Sequence, residues 1–248
     1  MSSKWLQGTV VDQRVWTDRL CSLRVDAAVE PFRAGQFCRL ALDVGGERVA
    51  RPYSFVNAPY ERPLEFYYIR LDGGPLTSRL AALGPGDLIF LSPRASGFLT
   101  LSDVPAAEYL WMLATGTAIG PFLSILKTDE PWQRFSRIVL VHAVREATEL
   151  SYAETLNSLV AKHPKQLSFV PFVSREDTVF AIRGRIPDAI RDGRLEARTA
   201  VAIDSARSQV MLCGNPAMVE DTLLVLEARG LKRHKRKEPG HMHVESYW

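Results

Sequence analysis

The 248-residue sequence predicts a two-domain β + α/β fold, in which an N-terminal antiparallel β-barrel precedes a doubly wound parallel sheet. Two observations support this fold class. Short segments of the first hundred residues alternate between apolar and polar side chains, which is typical of half-buried strands. Beyond about residue 102 the apolar runs are continuous and are separated by helical segments, as in a parallel sheet that is covered on both faces.

The barrel strands are predicted from the alternation. Residues 21–25 (CSLRV) and 38–42 (CRLAL) show it clearly. Three further β-rich runs, RVARPYSFV, LEFYYIRL and GDLIFLS, are bounded by the turn sequences DVGGE, LDGG and LGPGD. Before the last run, residues 76–83 (LTSRLAAL) predict one short helix across the barrel end, with Thr77 or Ser78 as its cap.

The α/β half is predicted from four buried strands. They are YLWMLA from Tyr109, RIVLVHA from Arg137, LSFVPFVS from Leu167 and SQVMLCG from Ser208. Helical segments follow the first three, namely PFLSILK, ELSYAETLNSLVAKH and IPDAIRDGRL. After the fourth, Asn215 and Pro216 predict a helix start and Gly230 predicts its end. We therefore expect a barrel domain at 1–101 and an α/β domain at 102–248.

Composition excludes several classes of protein. No apolar run approaches the roughly 20 residues that span a bilayer, and the first residues lack an apolar segment behind their charge, so we expect a cytoplasmic protein without membrane contact. Cys21, Cys38 and Cys213 are widely spaced without a CxxC pair, which predicts no iron–sulfur centre in the chain. The net charge of +3 is too small to indicate nucleic acid but favours an acidic partner.

Open α/β sheets bind ligands at the carboxyl ends of their strands. The first such end is ATGTAIGPF (114–122), a glycine-rich turn into a helix predicted to start at Pro121, where backbone amides could face an anion or a flat ring. The GxGxxG fingerprint is absent, so this segment fits a structural turn equally well. At the fourth end, LCGNP, Cys213 is interpreted as a core cysteine or as a ligand contact.

Three arginines follow the second and third strand ends. Arg145 comes directly after HAV, Arg175 follows Ser174, and Arg185 lies ten residues later. Converging guanidinium groups suit a phosphate monoester, and such arginines recognise the 2′-phosphate in NADP sites. The alternative is three solvated surface charges. The spacing favours phosphate binding.

A proline interrupts the β-rich segment VARPYSFVNAP (49–59). Because Pro52 cannot donate to a strand ladder, it predicts a bulge or an exposed edge. Arg51, Tyr53 and Ser54 could then offer a phosphate-binding fork, a flat face and a hydroxyl to a ligand. The alternative is a barrel edge with a surface arginine and a half-buried tyrosine.

Taken in order, RPYS, GTAIGP, the three arginines, CGNPAM and the terminal ESYW resemble the ferredoxin/flavodoxin NADP reductase family over essentially the whole chain. The resemblance is closest to the bacterial, enterobacterial type. It implies a flavoenzyme that passes electrons between NADPH and an acidic ferredoxin or flavodoxin, with FAD as prosthetic group. We expect a monomer with no metal site. The chain departs from many relatives in GTAIGP, where Ala118 replaces glycine, and in Trp248, which extends beyond the terminal tyrosine of plant-type relatives.

The resemblance also implies residue roles. The FAD-binding residues would be Arg51, Pro52, Tyr53, Ser54, Tyr67, Tyr68, Ile69, Pro75, Leu76, Thr77, Tyr247 and Trp248. The NADP-binding residues would be Thr117, Ala143, Arg145, Ser174, Arg175 and Arg185. The residues at the reacting atoms would be Ser54, Cys213, Glu245 and Tyr247. Tyr53 and Tyr247 would lie on the flavin ring, Trp248 would stack on adenine, and Glu245 would be a proton or charge partner.

Two alternative functions remain open from the sequence. One is a reductase of the same fold that serves an oxygenase or reduces free flavin. The other is a non-catalytic nucleotide- or nucleic-acid-binding module that uses the basic segment 231–238 (LKRHKRKE), although we interpret this segment as solvated charge that attracts an acidic carrier. His241 and His243, two apart on a predicted strand, are interpreted as structural rather than metal-binding.

Overall fold

A computed structural model describes residues 5–246. Within this range twelve strands form two six-stranded sheets, one antiparallel and one parallel, so the predicted fold class is confirmed. The antiparallel sheet contains β1 (Leu6–Val15), β2 (Leu20–Asp26), β3 (Phe37–Val44), β4 (Glu47–Ser54), β5 (Leu64–Ile69) and β6 (Leu88–Leu91). Their spatial order is β4-β3-β6-β1-β2-β5, which leaves β4 at one edge and β5 at the other.

The antiparallel sheet curves until its two edges meet. Phe55, directly after β4, forms an isolated bridge with Phe66 on β5, and the Val56 amide donates to the Glu65 carbonyl at 2.9 Å. Fully buried apolar side chains such as Leu23 fill the interior. The alternation of the sequence therefore corresponds to the inner and outer faces of a small barrel.

A short helix, α1 (Thr77–Leu80), lies between β5 and β6 as predicted, but its capping was wrongly predicted. Its N-cap position is Leu76, and no side chain caps it. The Thr77 hydroxyl instead accepts from the Leu71 amide at 3.1 Å, and Ser78 Oγ donates to the Leu71 carbonyl at 3.2 Å. These hydroxyls fix the turn before the helix, because that turn offers backbone partners within their reach.

The parallel sheet has the spatial order β10-β9-β8-β7-β11-β12, and all of its neighbouring strands are parallel. Its strands are β7 (Tyr109–Thr115), β8 (Arg137–Val144), β9 (Leu167–Val173), β10 (Ile182–Arg183), β11 (Ser208–Gly214) and β12 (Met242–Ser246). The four predicted strands are present as β7, β8, β9 and β11. Because each is buried on both faces, each has the continuous apolar run from which it was predicted.

Six helices accompany the described part of this sheet: α2 (Ile119–Leu126), α3 (Glu130–Arg134), α4 (Ala153–Lys162), α5 (Ile186–Arg191), α6 (Arg194–Thr199) and α7 (Pro216–Glu227). Helix α2 begins two residues before Pro121, because a short 3₁₀ turn leads directly into it. The segment predicted as one helix forms α5 and α6, since Gly193 has a φ of 80°. Asn215 caps α7 as predicted, with Oδ1 accepting from the Ala217 amide at 3.0 Å.

The barrel packs against one face of the parallel sheet. The apolar core on that face combines sheet, α2 and α4 residues with Val56 and Tyr67 of the barrel half, whereas α5, α6 and α7 cover the opposite face. Two hydrogen bonds reinforce this contact: the Tyr67 hydroxyl donates to Ser151 Oγ at 2.8 Å, and Ser124 Oγ donates to the Asn57 carbonyl at 2.7 Å. The strand ends of the parallel sheet are thereby held beside the barrel.

Candidate active site

A cavity of about 620 Å³ lies at the carboxyl ends of β7, β8, β9 and β11. All the residues predicted to bind NADP contribute to its lining, namely Thr117, Ala143, Arg145, Ser174, Arg175 and Arg185. The barrel contributes Arg19, Leu20, Ile69 and Leu71. The cavity is therefore formed by both sheets, at the position where open α/β sheets bind their ligands.

Backbone hydrogen bonds hold the three arginine-bearing loops together. The Arg175 amide donates to the Arg145 carbonyl at 2.9 Å, so the ends of β8 and β9 place these two residues side by side. The Gly184 amide donates to the Val173 carbonyl at 3.1 Å, which brings the following Arg185 to the same strand ends. The convergence that the sequence spacing suggested is therefore present.

The three arginines form no ion pair within the described residues, although Glu149 and Asp221 also line the cavity. Within the described residues, Arg145, Arg175 and Arg185 are exposed and have no side-chain hydrogen bond or ion pair. Arg183, in contrast, pairs with Asp177 although it lies only two residues before Arg185. Three uncompensated forks around one cavity suit a dianionic phosphate, because each fork can donate two parallel hydrogen bonds to its oxygens.

Arg19 is a cavity residue that the sequence analysis missed. It lies in the turn between β1 and β2, where its amide donates to Thr17 Oγ1 at 3.3 Å and its carbonyl accepts from the Arg70 amide at 2.7 Å. Local sequence does not distinguish Arg19 from surface arginines of the barrel. Only the packing of the barrel against the parallel sheet brings this side chain to the cavity.

The other end of the cavity is formed by tight turns after β7 and β11. Gly214 has a φ of 141°, and a β-carbon there would lie 2.0 Å from Thr115 Oγ1. The same Thr115 oxygen accepts from the Asn215 amide at 2.9 Å. Glycine is therefore required at position 214 both for its backbone conformation and for the close approach of the two turns.

Cys213 and Glu245 lie beside these turns. Cys213 is fully buried on β11, and its register partners are Ala114 on β7 and Glu245 on β12. Burial raises the pKa of Glu245 to about 7, and its Oε1 atom is buried without a hydrogen-bond partner in residues 5–246. A buried carboxylate oxygen without a hydrogen-bond partner is rare in folded proteins. A bound group or an exchangeable proton would account for it.

Glu245 reaches the barrel at Gly97. A β-carbon at Gly97 would lie 3.3 Å from Glu245 Oε2 and 3.0 Å from the Phe37 ring. Phe37 is in turn the register partner of Ser54, a buried residue at the end of β4. These contacts define a junction between the sheets, at which Ser54 is linked through Phe37 and Gly97 to Glu245 and its neighbour Cys213. Tyr247 and Trp248 lie outside the described residues.

The strand β4 presents the RPYS segment at the edge of the barrel sheet, so the exposed edge predicted from Pro52 is present. Arg51 is exposed, and its Nη1 donates only to the Ala50 carbonyl, at 2.8 Å, in the part of the chain that the structure describes. Tyr53 is half-buried with its ring edge-to-face to Tyr68 at 6.3 Å, and burial raises its pKa to about 12. Tyr53 therefore remains a neutral, flat phenol at physiological pH.

Four of the remaining predicted FAD residues use their side chains within the protein. Tyr67 donates to Ser151, Tyr68 donates to Gln13, Leu76 lies in the barrel core, and Thr77 bonds to Leu71. Ile69 lines the cavity and Pro75 is exposed. Contacts from the four internally bonded or buried residues to a cofactor would therefore involve their backbone.

These features fit both cofactors that the resemblance implies. Arg51 and Tyr53 offer a charge and an aromatic face on an open strand edge. The buried Glu245 Oε1 atom, which has no partner among residues 5–246, lies at the junction. The arginines at the ends of β8 to β10 and Cys213 on β11 lie roughly 10 to 20 Å apart, since neighbouring strands are about 4.8 Å apart. This separation suits the phosphate and nicotinamide ends of one NADP molecule.

The histidines near the C-terminus have structural partners. His241 precedes β12, so its predicted strand position was wrong, and its Nδ1 accepts from the Lys232 amide at 2.9 Å. His243 is buried and stacks on His234 with ring centroids 4.3 Å apart. Among residues 5–246, no group of three or more histidine, cysteine or acidic side chains could hold a metal ion.

None of the described helices is long and apolar enough to cross a membrane.

Comparison with known proteins places this geometry in context. The family model described as "Oxidoreductase NAD-binding domain" matches residues 112–223. A flavodoxin/ferredoxin–NADP reductase of Escherichia coli is 48% identical over 245 residues, covering 98% of this chain and 99% of the relative. A ferredoxin–NADP reductase of Pseudomonas aeruginosa is 36% identical, covering 93% and 92%. The structure of a ferredoxin NADP+ reductase from Neisseria gonorrhoeae with bound FAD and NADP aligns with a TM-score of 0.93 and 31% identity over 99% of both chains.

Proposed function

The chain belongs to the flavodoxin/ferredoxin–NADP reductase family, and from this premise we propose how its residues divide the reaction between them. The protein is an oxidoreductase that uses FAD and NADP(H) to transfer electrons between NADPH and ferredoxin or flavodoxin. The names of the relatives favour this activity over a free-flavin or oxygenase reductase and over a non-catalytic binding module. We retain 1–101 and 102–248 as the proposed domain division, which lies in the connection between β6 and β7.

The arginine end of the cavity binds the 2′-phosphate of NADPH in this proposal. Arg145, Arg175 and Arg185 surround the phosphate, with Ser174 as a neighbouring hydroxyl donor. The observation that carries the assignment is that these three forks have no partner in the described residues although they share one cavity. A neutral ribose hydroxyl would leave this positive charge uncompensated, so NADPH is preferred to NADH.

The flavin end of the site is formed by the exposed edge of β4 and by the junction between the two sheets. Arg51 binds the FAD pyrophosphate, Tyr53 packs on the ring, and the backbone of Tyr67 to Ile69 and of Pro75 to Thr77 holds the remainder. Tyr247 and Trp248 are proposed to cover the ring and the adenine. When bound, FAD accepts an electron pair as hydride and releases electrons singly, which matches NADPH to a one-electron carrier.

The residues at the junction are proposed to position the reacting rings and to hold a proton beside them. Ser54 would hold the reacting edge of the ring through its hydroxyl group, and Cys213, buried at the end of β11, would support the nicotinamide. Because the pKa of Glu245 is raised to about 7, its carboxyl group can hold or release a proton at Oε1 near neutral pH. The burial of Ser54 and Cys213 would also keep water away from this part of the site.

The carrier is proposed to dock where the junction reaches the surface. Phe98, directly after Gly97, is 84% exposed and offers an apolar contact beside Glu245. The exposed basic segment 232–237 bridges to the start of β12, about 10 Å along that strand from Glu245. It would therefore attract an acidic carrier from a distance rather than contact the flavin edge. We propose that the enzyme acts as a cytoplasmic monomer.

The test uses the FAD-loaded enzyme with NADPH and cytochrome c as the terminal acceptor. Added ferredoxin or flavodoxin is expected to accelerate cytochrome reduction, and the acceleration should decrease as salt is raised beyond 0.1 M, where the Debye length is about 10 Å. NADH as donor and free flavin as acceptor serve as controls. Failure to retain FAD, or equal rates with and without a carrier, would contradict the proposal, and an acceleration independent of salt would remove the electrostatic part.

A further inference from the structure

A histidine lies inside the apolar core of the parallel sheet. His142 is on β8, is 0% exposed, and pairs in register with Ala114 on β7 and Pro171 on β9. The preceding residues on the same face of β8, Ile138 and Leu140, belong to the apolar core shared with the barrel. An aliphatic side chain would suit this position, so the imidazole requires a specific reason.

The imidazole makes one hydrogen bond, to the turn that lines the cavity. His142 Nε2 lies 2.9 Å from the Gly116 carbonyl oxygen. A carbonyl oxygen can only accept, so Nε2 carries the hydrogen and Nδ1 is a bare acceptor. Nδ1 is buried without a partner in the described residues. The fold therefore tolerates an unsatisfied buried nitrogen in order to keep a donor aimed at Gly116.

The bond contributes to the orientation of a peptide group at the cavity. Gly116 has a φ of 55°, and both it and Thr117 line the cavity. Since the Gly116–Thr117 peptide is trans, its N–H points away from its carbonyl. With the carbonyl directed into the core at His142, the Thr117 amide points away from the core. The Gly116 carbonyl also accepts from the Ile119 amide within the 3₁₀ turn, so the imidazole is a second donor that restrains this glycine peptide.

We propose that His142 is a positioning residue for hydride transfer, which holds the Gly116–Thr117 peptide so that the Thr117 amide and hydroxyl meet the nicotinamide half of NADPH. This inference rests on the proposed function and extends it to a residue that does not touch the cofactor. Its position supports the nicotinamide half, because Gly116 follows β7, which pairs with β11 and lies beside Cys213. On its other side β7 pairs with β8, which precedes Arg145, whereas Arg175 and Arg185 lie beyond β8. Burial lowers the pKa of His142 to about 4, so the imidazole stays a neutral donor at physiological pH.

The test compares His142→Leu, which removes the donor, with His142→Gln, whose amide can donate from a similar position. In His142→Leu, flavin reduction should slow by about tenfold, because a misplaced reactant loses rate steeply. The fold change should be the same with NADPH and NADH, since both carry the same nicotinamide half. Affinity for 2′,5′-ADP, measured by calorimetry, should not change. His142→Gln should recover most of the rate.

Two further measurements separate positioning from stability. The ¹⁵N shifts of His142 should show the neutral Nε2–H form at pH 6 to 8, with no change of rate traceable to this residue in that range. Ser208→Ala removes a buried hydroxyl at the opposite end of β11, where Oγ donates to the Ala202 carbonyl at 3.2 Å, and should lower thermal stability without changing the rate. If His142→Leu behaves in the same way, the imidazole is only structural and the inference is wrong.

The outcomes also distinguish this inference from the proposed function. A wild-type enzyme whose flavin is not reduced by NADPH would contradict the function itself. A wild-type enzyme that is reduced normally, together with a His142→Leu variant of unchanged rate, would contradict only the role of His142. A His142→Leu variant that loses NADPH affinity but keeps NADH kinetics would place the residue at the phosphate end and would overturn the inference.

Discussion

The two ends of the cavity are formed in opposite ways. At one end Arg145, Arg175 and Arg185 project from loops, are exposed and have no partner in residues 5–246. At the other end the turns after β7 and β11 are interlocked, with Gly214 against Thr115. Charge on exposed side chains suits a phosphate that must be selected and released. Rigid backbone suits a ring that must be placed accurately for reaction.

This contrast predicts different consequences of substitution. An exposed arginine without an internal partner contributes little to folding, so its loss should change ligand affinity alone. A residue in the interlocked turns stabilises the fold and shapes the site together, so its loss should change both. Each of the following experiments tests one side of this comparison.

The largest effect is expected from the double substitution Arg145→Ala and Arg175→Ala. The KM for NADPH should rise by about 100-fold, because two charge-assisted contacts to phosphate are lost at roughly 1.5 kcal/mol or more each. The KM for NADH and the unfolding free energy should stay nearly constant. Steady-state kinetics with both nucleotides and urea denaturation provide the measurements.

The matched control for that experiment is Arg183→Ala combined with Arg194→Ala. These neighbouring arginines are also exposed but pair with Asp177 and Asp192, and neither lines the cavity. They change the net charge by the same amount. Equal increases in the NADPH KM for the two double variants would indicate a general charge effect and would remove the specific phosphate site.

The interlocked end is tested by Gly214→Ala. Its β-carbon would overlap Thr115 Oγ1 at 2.0 Å in a strained conformation, so the free energy of unfolding should fall by about 2 kcal/mol or more. Gly230→Ala is the control, because Gly230 has a φ of 83° but a β-carbon there would have no atom within 4 Å. The unfolding free energy of this variant should fall by only about 1 kcal/mol. Urea denaturation of both variants measures the difference, and equal losses would show that the contact with Thr115 is unimportant.

A smaller effect is expected for Glu245→Gln as a function of pH. The folded-state pKa of Glu245 is raised from 4.5 to about 7, so the folded protein binds this proton more tightly than the unfolded chain does. The contribution of Glu245 to the unfolding free energy of the wild type is fully present below pH 4.5 and is lost as the pH rises through 7. Between pH 5 and 8 the variant should therefore gain on the order of 1 kcal/mol relative to the wild type, allowing for solvent screening.

Thermal unfolding of the FAD-loaded proteins across that range measures the effect. A stability difference that is independent of pH would indicate that Glu245 is ionised in the folded state. The carboxyl group would then be a charge partner and not a proton carrier. An intermediate slope would give its pKa in the holoenzyme directly.

The contrast between the two ends also explains which parts of the site were predictable. The arginines follow strands with continuous apolar runs, so their placement at the carboxyl edge follows from sequence position. Arg19 and His142 were missed for a different reason. Arg19 reaches the cavity through the packing of two sheets, and His142 lies among apolar residues of a strand whose pattern gives no sign of the Gly116 bond.

Two local predictions from the sequence differed from the structure. Thr77 and Ser78 have the residue types of helix caps, but the turn at Leu71 offered them closer partners. His241 was assigned to a strand that begins one residue later. For Thr77 and Ser78, residue type allowed two hydrogen-bonding arrangements, and the nearby Leu71 backbone selected one.

The amino-acid sequence alone determined the two sheets, their order along the chain, the strand ends that carry the arginines and the exposed edge at Pro52, because periodicity and backbone chemistry are local properties. Tertiary structure alone decided that Glu245 approaches Gly97, that Arg19 joins the cavity and that His142 holds Gly116. Those relations depend on how the barrel packs on the sheet and on strand order, and they join residues far apart in the chain, for which the local pattern carries no signal.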